Sequence, residues 1–115
     1  MEEIVFWHNP RCSNSRNSLR LLQERGIQPK IRLYLVDNPN EATLRKVLKL
    51  LKFKAEDLIR KKEPVFQQHF KGKILDEDQW IQAMVKYPVL IQRPIVIRGR
   101  KAIISRPAKT LLEWL

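Results

Sequence analysis

The spacing of apolar residues changes several times along the chain, and each change marks an element. Ile4-Val5-Phe6-Trp7 is a short apolar run that reads as a buried strand. A loop rich in Asn, Pro and Ser follows, from His8 to Arg16. Leu19, Leu22 and Leu21 then share one helical face before Gly26. The pattern predicts a helix that starts near Asn14 or Ser15, is capped by Ser13 or Asn14, and stops at Gly26. Lys30 to Leu35 (KIRLYL) resumes a period of two, which predicts a second strand. Strand, crossover helix and strand together predict parallel neighbours with a right-handed connection.

Asp37-Asn38-Pro39-Asn40 is a turn, and Asn40 suits the cap of a helix over Glu41 to Leu51. Leu44, Val47, Leu48 and Leu51 form its apolar stripe. A shorter helix is predicted over Ala55 to Arg60. The segment Lys61 to Lys73 is polar, holds Pro64 and Gly72, and has no clean period; it reads as a loop with at most one short turn. Asp76-Glu77-Asp78-Gln79 is a capping-box pattern opening a helix to about Lys86, with Trp80, Ile81, Met84 and Val85 apolar and Pro88 closing it. Ile95-Val96-Ile97 and Ala102-Ile103-Ile104 flank Gly99 as an antiparallel hairpin. Pro107 suits the first turn of a last helix through Leu111, Leu112 and Leu115. The order is β-α-β, a helical insertion over roughly residues 37–88, then β-β-α.

A length of 115 residues with 43% hydrophobic content fits one domain, residues 1–115, with its own core. No apolar run reaches membrane-spanning length, and the start, Met1-Glu2-Glu3, is acidic, unlike a signal peptide. A single cysteine cannot form an intrachain disulfide, so a reducing, cytoplasmic setting is expected. One Cys and two His (His8 and His69) exclude a structural zinc site, and no metal is expected. The net charge of +11 points to an anion or an acidic partner. Part of it is a solvated stripe, Arg45, Lys49 and Lys52. No aromatic-interleaved RNA motif or zinc-finger spacing appears, so nucleic acid is disfavoured, as is a membrane.

The lone thiol, Cys12, lies in the polar loop at a predicted strand-to-helix turn. Unpaired helix N–H groups and the positive end of the helix dipole converge there, where they bind oxyanions and lower a cysteine pKa. Arg11 and Arg16 add charge nearby. The polar neighbours Arg11, Ser13, Asn14 and Ser15 argue against a core slot for the thiol. The residue six after Cys12 is Ser18, so the C-x5-R phosphate loop of a tyrosine phosphatase is absent. The residue three after it is Ser15, so C-x-x-C dithiol exchange is absent too.

Four motifs now stand in order: HNPRCSNSR, LIRKKEP (Leu58 to Pro64), YPVLIQRPIV (Tyr87 to Val96) and Arg106-Pro107. They resemble the signatures of the glutaredoxin-coupled arsenate reductase family over nearly the whole chain. Spx-type regulators, which bind RNA polymerase, are related and share part of the first motif. The resemblance implies an α/β, thioredoxin-like fold with helices inserted between its halves. It also implies Cys12 as nucleophile, with Arg60, Arg93 and Arg106 around the oxyanion and Asn14 beside them. By the same resemblance His8 helps ionise the cysteine, Ser15 hydrogen-bonds the thiolate, and Arg93–Pro94 is a cis bond next to Cys12.

The activity implied is reduction of arsenate to arsenite, as in arsenic resistance. No cofactor stays bound; glutathione acts as co-substrate and glutaredoxin clears the mixed disulfide. Two departures are visible: VFQQHFKGK stands where many members carry a more regular helix, and the sequence closes at Leu115, as in a shorter branch. Two alternatives remain open: a regulator contacting RNA polymerase, and a glutathione-dependent thiol oxidoreductase with another substrate. The missing C-x-x-C switch counts against the first.

Overall fold

β1 (Ile4–Trp7) is the centre from which the sheet is built, and three of its four residues are buried. The computed structural model describes residues 3–106 and 110–114, without the side chains of Leu112 and Glu113. Two compact units result: Met1–Asp37 together with Arg93–Leu115, and Asn38–Gln92.

In the first unit β1 is followed by α1 (Ser13–Glu24) and β2 (Lys30–Arg32), and β1 and β2 are parallel. β3 (Ile95–Arg98) and β4 (Lys101–Ile104) form the hairpin, with Gly99 at φ +58° in its two-residue turn. That left-handed conformation is open to glycine at no steric cost. The sheet order is β2-β1-β3-β4, with β3 antiparallel to both neighbours. One core cluster joins Ile4, Phe6, Leu22, Val96 and Leu111. Leu111 comes from α5 (Thr110–Trp114); Pro107 and Leu115 lie outside the described residues.

The register matters most for function. Trp7 stands opposite Ile95, and Ile95 opposite Ile104. The chain leaving β1, the chain entering β3 and the chain leaving β4 therefore lie at the same end of the sheet.

Three expectations for this unit are corrected. α1 begins at Ser13 with Cys12 itself as N-cap, in extended backbone, not Ser13 or Asn14. Its buried face is Ser15, Ser18 and Leu22, more polar than the leucines suggested. β2 ends at Arg32, because Leu33 to Val36 turn: Leu33 O accepts from the N–H groups of both Val36 and Asp37. The turn buries Tyr34, whose ring stacks on Trp7 at 5.9 Å.

In the second unit, α2 (Glu41–Leu51) buries Leu44, Val47, Leu48 and Leu51, and the Asn40 side chain accepts from Thr43 N at 2.8 Å. The next segment is a 3-10 turn over Ala55–Leu58, shorter than the expected helix to Arg60. The stretch read as a loop contains a true helix, α3 (Pro64–His69). Pro64 opens it, where a missing N–H costs nothing. Its short length and the spread of Val65, Phe66 and Phe70 hide any period. α4 (Glu77–Lys86) carries the expected capping box between Asp76 and Gln79 and packs against α2. Phe66 stacks on Trp80 at 6.1 Å. Arg45 and Lys49 point outward, and Arg45 binds the carboxylates of Glu41 and Asp78.

Candidate active site around Cys12

The Cys12 loop is shaped by Asn9, which is buried although polar. The Asn9 carbonyl accepts from Cys12 N at 3.0 Å, and its side-chain oxygen accepts from Arg11 N at 3.0 Å. An Asn before Pro10 commonly starts such a turn. Cys12 is half-buried and unpaired. Its carbonyl takes the first helical hydrogen bond, from Arg16 N at 3.0 Å, and its sulfur faces the N–H groups of the first turn.

Electrostatics at the sulfur are a contest. Burial opposes ionisation and is the largest single effect. Against it act the N–H of Ser15, the hydrogen bond and charge of Arg93, and the N–H of Asn14. Together they win, and the Cys12 pKa falls below the ordinary thiol value. Cys12 thus occupies the N-cap position, where a thiolate faces the orphan donors of the first turn.

Ser15 plays two parts. Its N–H faces the thiol, while its buried hydroxyl accepts from Asn9 N at 3.0 Å and lies 2.7 Å from Nδ1 of His8. His8 is buried, and burial, then the charge of Arg16, push its pKa below the usual histidine value. That shift favours the neutral imidazole and works against the expected help of His8 in ionising Cys12. The expected contribution of Arg11 and Arg16 to Cys12 is also corrected. Arg11 is exposed, and the Arg16 guanidinium donates to the Pro10 carbonyl at 2.9 Å.

Among the arginines, Arg93 is the one brought to the sulfur, and the Arg93–Pro94 bond after it is cis. Arg106 follows Ser105 at the same end of the sheet, with an exposed side chain. Arg60 belongs to the second unit, where its Nε donates to Glu63 at 3.1 Å in a largely buried ion pair. The Arg60 N–H and the Gln92 N–H flank the Ile59–Ile91 bridge, bonding Leu90 O and Leu58 O.

Sequence reading passed over Asn9, Glu63, and the pair Ser18 and Ser105. A signal for the serines existed: Ser15, Ser18 and Leu22 recur at i, i+3, i+7, one helical face.

The ArsC family profile matches residues 7–114, which includes every element of the site. The chain belongs to the ArsC family. It is 43% identical over 114 residues to the uncharacterized protein YfgD of Escherichia coli (strain K12), covering 97% of this chain and 96% of that one. It is 37% identical over 114 residues to an arsenate reductase of Haemophilus influenzae, covering 97% and 98%. A solved structure of an arsenate reductase from Vibrio cholerae superposes with a TM-score of 0.93 at 34% identity, covering 99% of this chain and 98% of that one. The mixed sheet with its helices is accordingly a thioredoxin-like fold. No described helix is long and apolar enough to cross a membrane. Among the described residues no cluster of His, Cys, Asp or Glu could hold a metal ion.

Proposed function

We propose that this protein is an arsenate reductase working through one protein thiol. The observation that carries the reading is a cysteine with a lowered pKa beside Arg93, in a family where relatives are named for that activity. Cys12 thiolate bonds to arsenic, and an arsenate oxygen leaves as water. Reduction of As(V) to As(III) takes two electrons, which two thiols supply as they join in a disulfide. The chain holds one cysteine, so the second thiol is external: glutathione closes a mixed disulfide with Cys12 as arsenite departs. A glutaredoxin then returns Cys12 to the thiol. Arg93, with the exposed Arg106, offers guanidinium donors suited to an oxyanion, which takes bidentate bonds from Arg and not from Lys. The +11 charge of the chain draws anionic arsenate and glutathione toward it.

The test is arsenate-dependent consumption of reducing equivalents with glutathione and glutaredoxin supplied. Wild type turns over, Cys12→Ser does not, and mass spectrometry traps a Cys12–glutathione disulfide. Turnover with no thiol added, or full activity in Cys12→Ser, overturns the mechanism. Turnover of a glutathione mixed disulfide without any of arsenate would move the protein to the thiol oxidoreductase reading.

A further inference from the structure

Ser18 and Ser105 are both completely buried, 87 positions apart in sequence, with their hydroxyl oxygens 2.7 Å from each other. Ser18 Oγ also lies 3.5 Å from the Ser105 carbonyl. An isolated hydroxyl in such a place costs free energy, and replacing both partners by apolar groups is often nearly neutral for stability. Replacing both hydroxyls together is thus expected to change stability little. What a hydroxyl pair adds is geometry: the oxygens must stand within hydrogen-bond reach, whereas apolar surfaces tolerate sliding.

The elements joined are the ones that build the thiol site. Ser18 sits on the buried face of α1, one turn beyond Ser15, on the helix whose first N–H groups face the Cys12 sulfur. Ser105 directly follows β4, and its N–H donates to the carbonyl of Pro94 at 3.0 Å. Pro94 follows Arg93 directly. A continuous path thus runs from the helix of the nucleophile through Ser18 and Ser105 to the residue beside the arginine.

We infer that the Ser18–Ser105 hydroxyl pair is a positioning device that sets the Arg93 guanidinium against the Cys12 sulfur. The inference rests on Cys12 being the reactive thiol of the proposed function but not on arsenate being its substrate. Among the described residues, Arg93 is the charged group that lowers the Cys12 pKa. Of the other ionisable groups in the loop, His8 faces Ser15, and Arg16 faces the Pro10 carbonyl.

The experiment is the pH dependence of Cys12 alkylation by iodoacetamide in wild type, Ser18→Ala, Ser105→Ala and the double variant. Each is also made in an Arg93→Gln background, and thermal unfolding is followed in parallel. Loosening Arg93 raises the alkylation midpoint by about half a unit to one unit, a threefold to tenfold change in the ionisation constant. The shift disappears when Arg93 is already Gln. If a single variant leaves an orphan hydroxyl and fails to fold, the double variant, which leaves none, carries the test. A folded double variant with the wild-type midpoint overturns the inference, whatever its melting temperature. So does an equal shift in the Arg93→Gln background. The titration uses no arsenate, so a failure of arsenate turnover leaves its result standing.

Discussion

Arg93→Gln is the sharpest perturbation of the site, because one side chain supplies both a hydrogen bond and a charge to Cys12. A hydrogen bond to a charged group contributes about 1.5–3 kcal/mol net. At 1.36 kcal/mol per pKa unit this corresponds to a shift of roughly one to two units. Cys12 is half-exposed, so solvent screens part of it, and a rise of about one unit is the expected result. The N–H groups of Ser15 and Asn14 remain, so the midpoint does not rise without limit. Reactivity falls less than ionisation does. A tenfold loss of thiolate at pH below the midpoint is offset by the greater nucleophilicity of the more basic thiolate, with a Brønsted slope of about 0.4–0.5. The net loss in alkylation rate is then roughly threefold to fourfold. Arg93→Lys keeps the charge and loses the planar fork, so its midpoint falls between the two. The assay is alkylation rate against pH at constant ionic strength. A wild-type midpoint in Arg93→Gln would refute the reasoning, since Arg93 is the charged side chain among the described residues that lowers the Cys12 pKa.

Two further outcomes follow from burial. His8 has a folded pKa below its unfolded value of about 6.5, so the unfolded chain binds more protons between the two. Stability therefore falls as pH drops from about 6.5 through the folded pKa, and His8→Asn removes that part of the slope; equal slopes in urea unfolding at a series of pH values would reject it. Leu22→Ala empties the centre of the cluster that seats α1, and should cost about 2–5 kcal/mol in denaturant unfolding; a loss under about 1 kcal/mol would mean α1 is not held there.

Elements whose signal is local were readable in advance. The Asn40 cap and the Asp76–Gln79 box announce their helices because the capping groups lie within three residues of each other. The hairpin about Gly99 is local in the same sense. What failed was decided over distance. KIRLYL alternates like a strand, yet the chain turns after Arg32, where Tyr34 stacks on Trp7 and the Arg32 guanidinium lies 5.1 Å over the same ring. At the site, Cys12 as a candidate thiol of lowered pKa was legible from its polar loop before a helix. Arg93 beside it was legible through the family resemblance and not through spacing, which pointed to Arg11 and Arg16, its neighbours in sequence. The ion pair that engages Arg60 depends on how Glu63 is placed at the start of α3, which the apparent loop concealed.

Why the acting charge comes from so far along the chain follows from the sheet. Arg16 is one turn beyond Cys12 on α1, but its guanidinium folds back to the Pro10 carbonyl and acts on His8. Arg93 stands two residues before β3, and the antiparallel register of β3 delivers it to the end where β1 releases the loop. That delivery depends on register, since a slip of one residue would turn every β3 side chain to the opposite face. Ile95 and Val96 are both completely buried, so either slip would displace packed apolar groups on both faces of the strand. The register of the strand that follows Arg93 is thus held by hydrophobic packing. Two chemically plain elements, an apolar strand and a polar loop, thereby bring a guanidinium to a thiol whose pKa lies below the ordinary value.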